Sequence, residues 1–466
     1  MSQPLPAASS RPSQVPAQHG SWLAAQGKLP LAFMGLALAW LAAGAILLLL
    51  RPGLLALPHT HPHVVALTHA WLLGFFLTVA CGAAYQLAPV ALGTTLSSER
   101  KGWWHFGMHA IGVPGMVASF WFWNLEQVGH FGLLVAIGAG VYVRNIWVTV
   151  RQAGRPGLIS TSLRVSAIWL VITLLIGLTL AANRFWYFIP LDPVVLLRAH
   201  AHAGIAGFFV TLLQGVTFQL VPMFTLGDVH DWKLPTRGFW MTQIALIGLL
   251  PALLLRAAWV ETAMGVLLLS GLACSAYALR RVLGTRKKRA LDPGVQAFFL
   301  GIAVLFVAGI VGLALVWPGS TGGSASGGMS AMFYAVIIVI GGMLPCFSGM
   351  MGKIVPFLTW MRAYGPRVGR ERVPLASALG VRWAERAGLL LQFLAVVPLA
   401  CGTWTLEASW LVAGASVLAA GTGLFLFNQL CILRHLFMKS QPAKAAVPAG
   451  QAGGGRPVIE NTAHGA

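Results

Sequence analysis

Apolar residues run along this chain in long blocks with almost no polar interruption, unlike the short amphipathic periods of water-soluble helices and strands. Twelve blocks reach the roughly 20 residues that a bilayer-spanning helix needs, the first at 31–50 and the last at 408–432. Spans two (64–90), six (194–223) and ten (329–358) share a pattern. Gly74, Thr78, Gly82, Gln86 and Pro89 return as Gly207, Thr211, Gly215, Gln219 and Pro222, and more loosely as Gly341, Pro345, Gly349, Lys353 and Pro356. The prolines lie 133 and then 134 residues apart, far beyond the period of a solenoid array. Twelve spans over three copies predict three four-helix groups, at 30–158, 159–290 and 291–438. The polar stretch 1–29 lacks the apolar centre of a signal peptide. It and the Gly/Ala/Pro-rich stretch 439–466 are expected to be disordered tails.

Composition turns this pattern into a fold class. The chain is 57% hydrophobic and 9% charged, with mean hydropathy +0.77, values that no water-soluble chain of this length shows. The expectation is an all-α integral membrane protein of about twelve helices, arranged as three groups around a pseudo-threefold axis. A formal net charge of +20 raises the question of nucleic acid, and the placement of the charge excludes it. Arg144, Arg151, Arg155 and Arg164, then Arg280, Arg281, Arg286, Lys287, Lys288 and Arg289, then Arg362, Arg367, Arg370 and Arg372 all fall in loops on one side. The positive-inside rule puts that side, and both termini, in the cytoplasm. The partner this implies is the lipid bilayer. Five cysteines stand singly, without metal or redox spacing, and read as core filler.

Histidine is the residue type that carries chemistry here. His69, His200 and His202 all lie within a turn or two of the outer ends of spans two and six, in one layer. An ionisable side chain inside a membrane usually faces the bundle interior and marks function. His69 and His202 are each 20 residues ahead of the repeat proline, where the third copy has Val336. Two neutral imidazoles facing one another at one depth are what a six-coordinate haem iron requires. His200 and His202 are about 200° apart around their helix, so one can share a metal with span two while the other serves a second site toward span ten. Just outside span two, His59, His61 and His63 alternate between prolines and offer a candidate copper or zinc grip at the outer surface. His105 and His109 enter at the cytoplasmic end of span three, beside Trp103 and Trp104, and read as a polar interfacial face.

The segment Arg198-Ala-His200-Ala-His202-Ala-Gly, continuing to Gln214-Gly215 and Gln219-Leu-Val-Pro222, resembles a haem helix of the large subunit of haem-copper oxidases, most closely the cbb3-type cytochrome oxidases and nitric oxide reductases. His69-Ala-Trp-Leu-Leu-Gly74 is similar to a second haem helix of that subunit. The resemblance implies a bacterial plasma (inner) membrane protein that holds haem b, one group or two, on His69 with His200 or His202. It also implies an electron donor such as quinol or cytochrome c, an accessory subunit, and electron transfer or NO/O2 redox chemistry. The family's copper needs an adjacent His-His pair, and none occurs in this sequence; copper therefore rests on His59, His61 and His63. A transporter or copper-handling protein using the histidines as cargo ligands is the competing expectation.

Overall fold

The structure is a computed structural model, and it describes residues 27–317, 327–369 and 371–438. The tails expected at 1–29 and 439–466 fall outside these residues, except that the first helix already begins at Lys28. Every regular element among the described residues is helical. Eleven helices are long and apolar enough to cross a membrane: α1 (Lys28–Leu50), α2 (Pro62–Leu92), α4 (Leu125–Ala153), α5 (Leu158–Trp186), α6 (Pro193–Thr225), α7 (Lys233–Leu254), α8 (Ala258–Gly284), α9 (Pro293–Val316), α10 (Ala331–Ala363), α11 (Arg382–Thr405) and α12 (Ala408–Leu436). The twelfth, α3 (Glu99–Trp121), has 23 residues and packs along α4, but its two histidines lower its hydropathy.

The three groups close into a ring. Within each, the last two helices form a tight pair: α3 with α4, α7 with α8, α11 with α12. Between groups, α4 packs on α5, α8 on α9, and α12 returns to α1. The repeat-bearing helices α2, α6 and α10 form the inner ring and are the most buried of the spans. Phe76, Phe209 and Phe347 meet where these three converge, with ring centroids 5.1 to 6.3 Å apart. They close the axis with a dry aromatic plug, so the centre of the ring is packed core rather than a pore.

The repeat residues are contact points inside each group. A Cβ on Gly74 would enter the indole of Trp40, and one on Gly207 would enter that of Trp169. Gly82, Gly215 and Gly349 leave room for Phe33, Ser162 and Gly294 on α1, α5 and α9. Small residues let membrane helices approach closely where no hydrophobic drive toward water-free burial exists between them. Each inner helix also changes pitch at one level. Ala70–Leu77, Ala203–Val210 and Ile337–Met343 are π-helical stretches within α2, α6 and α10, and each begins one residue after His69, His202 or Val336. A π turn takes an extra residue and so rotates the helix on its C-terminal side relative to the helix on its N-terminal side.

Among the described residues most charge lies toward the helix ends, and Lys353 stands inside α10. At the end carrying the basic loops, Asp292 accepts from Lys288 at 2.8 Å and from Lys353, which holds the place of Gln86 and Gln219 in the repeat. Burial raises the Asp292 carboxyl pKa, but the two ammoniums outweigh it and hold the group below its ordinary range. Its contribution to stability is present above about pH 4 and disappears as pH falls through the lowered folded value. Asp292→Asn should lower the thermal midpoint in detergent by the equivalent of about 1–2 kcal/mol, because it strands Lys353 in a mostly buried position while the cluster as a whole stays in reach of water; the midpoint loss should vanish when both proteins are compared at low pH.

Candidate cofactor site

His69 closes the α-helical first part of α2, at the threshold of the π stretch, and its Nδ1 lies 2.8 Å from the Val65 carbonyl oxygen one turn back. Its ring is flanked by Phe120 from the end of α3, centroids 4.6 Å apart. His202 repeats this arrangement on α6, with Nδ1 2.8 Å from the Arg198 carbonyl oxygen. His200 is held differently. Its Nδ1 lies 3.0 Å from the Thr173 carbonyl oxygen on α5, and Gly177 on the same helix leaves the space its ring occupies, since a Cβ there would stand 2.8 Å from His200 Cε1. In all three a carbonyl fixes Nδ1 as the protonated nitrogen and leaves Nε2 with a free lone pair, the tautomer a metal-ligating histidine uses.

His200, rather than His202, stands opposite His69. Their ring centroids are 6.4 Å apart and their planes 25° apart. A metal–imidazole bond of about 2 Å on each side, with roughly 1 Å from each nitrogen to its ring centre, spans about 6 Å, so the separation fits one metal ion between two imidazoles. The helices bearing the two rings do not pack tightly on each other, and all three rings are half-buried. His202, set on α6 as His69 is set on α2, belongs by the same rotation to the crevice between the second and third groups. There Tyr334 holds the place of His200 and packs against Gly312 as His200 packs against Gly177. Beside His202, Arg198 pairs at 2.8 Å with Glu261 of α8, which is 4% exposed.

Of His59, His61 and His63, the last two come together, with ring centroids 5.1 Å apart. His61 Nδ1 accepts from the His63 backbone N–H at 3.3 Å and caps α2, while the His63 ring stacks on Trp121 at 4.1 Å. The His59 Nδ1 is buried without a partner, and burial lowers the pKa of that ring. Among the described residues, no three His, Cys, Asp or Glu side chains are placed to hold one metal ion. The cysteines are all free thiols.

The expectation for span three requires a correction. His105 and His109 are not an interfacial face: they are 0% and 2% exposed, turned inward against Phe33 of α1. His105 Nδ1 lies 3.0 Å from the Tyr85 hydroxyl, and His109 Nε2 lies 2.7 Å from that of Thr78. Trp103 and Trp104, which carry the interfacial reading, are on the exposed side of the same helix. The spacing i, i+4, with Tyr85 and the repeat residue Thr78 opposite, is the signal for burial, and hydropathy alone does not weigh it.

No protein-family model matches the chain, and no curated protein matches it in sequence. Among solved structures it is similar to one chain of a cryo-EM structure of a heme-copper terminal oxidase dimer. The two share 12% identity with a TM-score of 0.60, over 90% of this chain and 84% of the other. Identity that low speaks for architecture alone, and the architecture agrees with the ring of three four-helix groups built above: the protein has a haem-copper oxidase subunit I-like fold.

Proposed function

We propose that the protein is a membrane-embedded haem b protein in which His69 and His200 would hold the haem, serving electron transfer or NO/O2-related redox chemistry. The observation that carries this is the 6.4 Å separation of two imidazoles whose Nδ1 atoms are both engaged by backbone carbonyls. The donor set suits iron porphyrin: two neutral imidazoles in an apolar layer would hold it. A bound haem would supply one-electron chemistry. The chain's part is to orient both rings, keep them neutral, and exclude water with Phe120 and the aromatic plug. His202 offers a separate nitrogen donor in the next crevice, which is the place for a second haem. The basic loops support a plasma-membrane orientation with both termini in the cytoplasm, and quinol or cytochrome c is the class of electron donor that suits such a centre.

The test is the visible spectrum of the detergent-purified protein with a haem assay. A Soret band with sharp reduced α-bands, unmoved by carbon monoxide, is the expected result for the His69–His200 pair; an additional band that carbon monoxide moves would report haem on His202. A colourless protein from cells supplied with haem would sink the proposal and favour transport of a metal cargo.

A further inference from the structure

The buried histidine pair of α3 is not needed to hold a metal, yet one member is tied to the helix that carries His69. Thr78 ends the π stretch of α2. Its hydroxyl donates to the Leu73 carbonyl oxygen at 3.1 Å, five residues back, and Leu73 lies one turn beyond His69. That bond consumes the only hydroxyl hydrogen, so His109 Nε2–H is the donor to Thr78 Oγ1 at 2.7 Å. Thr78 and His109 are both buried, in surroundings where a polar bond is strong and its loss leaves an unpaired group.

The second group repeats the arrangement with a different side chain. The Thr211 hydroxyl donates to the Ala206 carbonyl oxygen at 3.4 Å, and Gln243 of α7 donates from Nε2 to Thr211 Oγ1 at 3.1 Å. Gln243 is fixed in turn by Trp169, whose Nε1 donates to Oε1 at 2.8 Å. Thr78 and Thr211 are 133 residues apart and His109 and Gln243 are 134 apart, one residue out of register, so histidine and glutamine are equivalent through the threonine each one bonds. In the third group the threonine's place is taken by Pro345, and the residue before the π stretch is Val336. A side-chain donor to a π-ending hydroxyl is therefore present at the two junctions that bear a histidine, and the hydroxyl itself is missing at the junction that bears none.

We infer that His109 is a positioning residue for His69: through Thr78 it fixes the pitch change of α2, and with it the direction in which His69 presents Nε2 to His200. Gln243 does the same for His202. The inference rests on the proposed His69–His200 haem, and the test separates the two. In the full-length purified protein, His109→Gln installs the donor that the second group uses and should keep the low-spin electron paramagnetic resonance signal and the reduction potential of the parent. His109→Leu should shift both, with haem still bound. Thr78→Val, which keeps the shape and removes the hydroxyl, should give the same shift, and adding His109→Leu to it should give no further change, as expected for members of one chain of bonds. Thr78→Val carries the test alone if His109→Leu does not fold. Unchanged signals in Thr78→Val or in a folded His109→Leu, or equal shifts in His109→Gln and His109→Leu, would overturn the inference. A parent protein without a six-coordinate haem signal would overturn the haem proposal instead.

Discussion

His69→Ala and His200→Ala proteins are expected to lose the six-coordinate haem spectrum, while His202→Ala keeps it. Each of the first two substitutions removes one of the two imidazoles whose ring centroids lie 6.4 Å apart between the first and second groups. Changes merely to the outer partners of a metal ligand cost 10–100-fold in affinity, so removal of a ligand should reduce the reduced α-band by about tenfold or more. His202 has the burial and the carbonyl partner of a ligand, but it is oriented as His69 is, one group further round the ring. It cannot complete the same pair. Reduced-minus-oxidised spectra of the three variants, normalised to protein, decide the matter. Loss of the spectrum in His202→Ala with retention in His200→Ala would reverse the assignment and move the pair to His69 and His202.

The parts of this site that are legible in the sequence are those a repeat can encode. The three groups and the inner helices come from the recurrence of Gly and Pro at fixed spacing, because equivalent positions in a pseudo-rotation share an environment. Which of His200 and His202 meets His69 is not encoded that way. A helical wheel puts them about 200° apart without an absolute direction, and that direction depends on Gly177 and the Thr173 carbonyl of a neighbouring helix. The π stretches are equally hidden, since hydropathy is indifferent to pitch; the one trace is the exchange of Thr78 and Thr211 for Pro345, two ways of ending a widened turn. His105 and His109 are misread from sequence because polar residues beside tryptophans look alike whether they face headgroups or each other.

Gly349→Ala is expected to be among the most destabilising single-methyl additions to this chain. The Cβ it introduces would overlap the Gly294 carbonyl oxygen and lie 3.1 Å from the Phe298 backbone nitrogen, and a Cβ on Gly294 would overlap the Gly349 carbonyl oxygen in the same way. Both obstacles are backbone, so no rotamer change relieves them and α9 must move away from α10. The equivalent glycines are also tight: a Cβ on Gly82 would stand 2.6 Å from Phe33 Cβ, and one on Gly215 would overlap Ser162 Cβ, atoms that no rotamer change moves. The third group therefore replaces a side-chain contact with a glycine pair, and Val295 and Phe298 are buried beside it. Overpacking of this kind costs about 1–3 kcal/mol, and separating two helices whose approach depends on small residues places Gly349→Ala at the upper end. Gly423→Ala is the control: nothing lies within 4 Å of its added Cβ, and alanine in a helix interior is favoured over glycine by roughly 0.5–1 kcal/mol. Thermal midpoints in detergent should fall clearly for Gly349→Ala and hold or rise for Gly423→Ala. Equal midpoints would mean that α9 and α10 do not touch at Gly294 and Gly349, and the third group would then lose the contact that makes it equivalent to the other two.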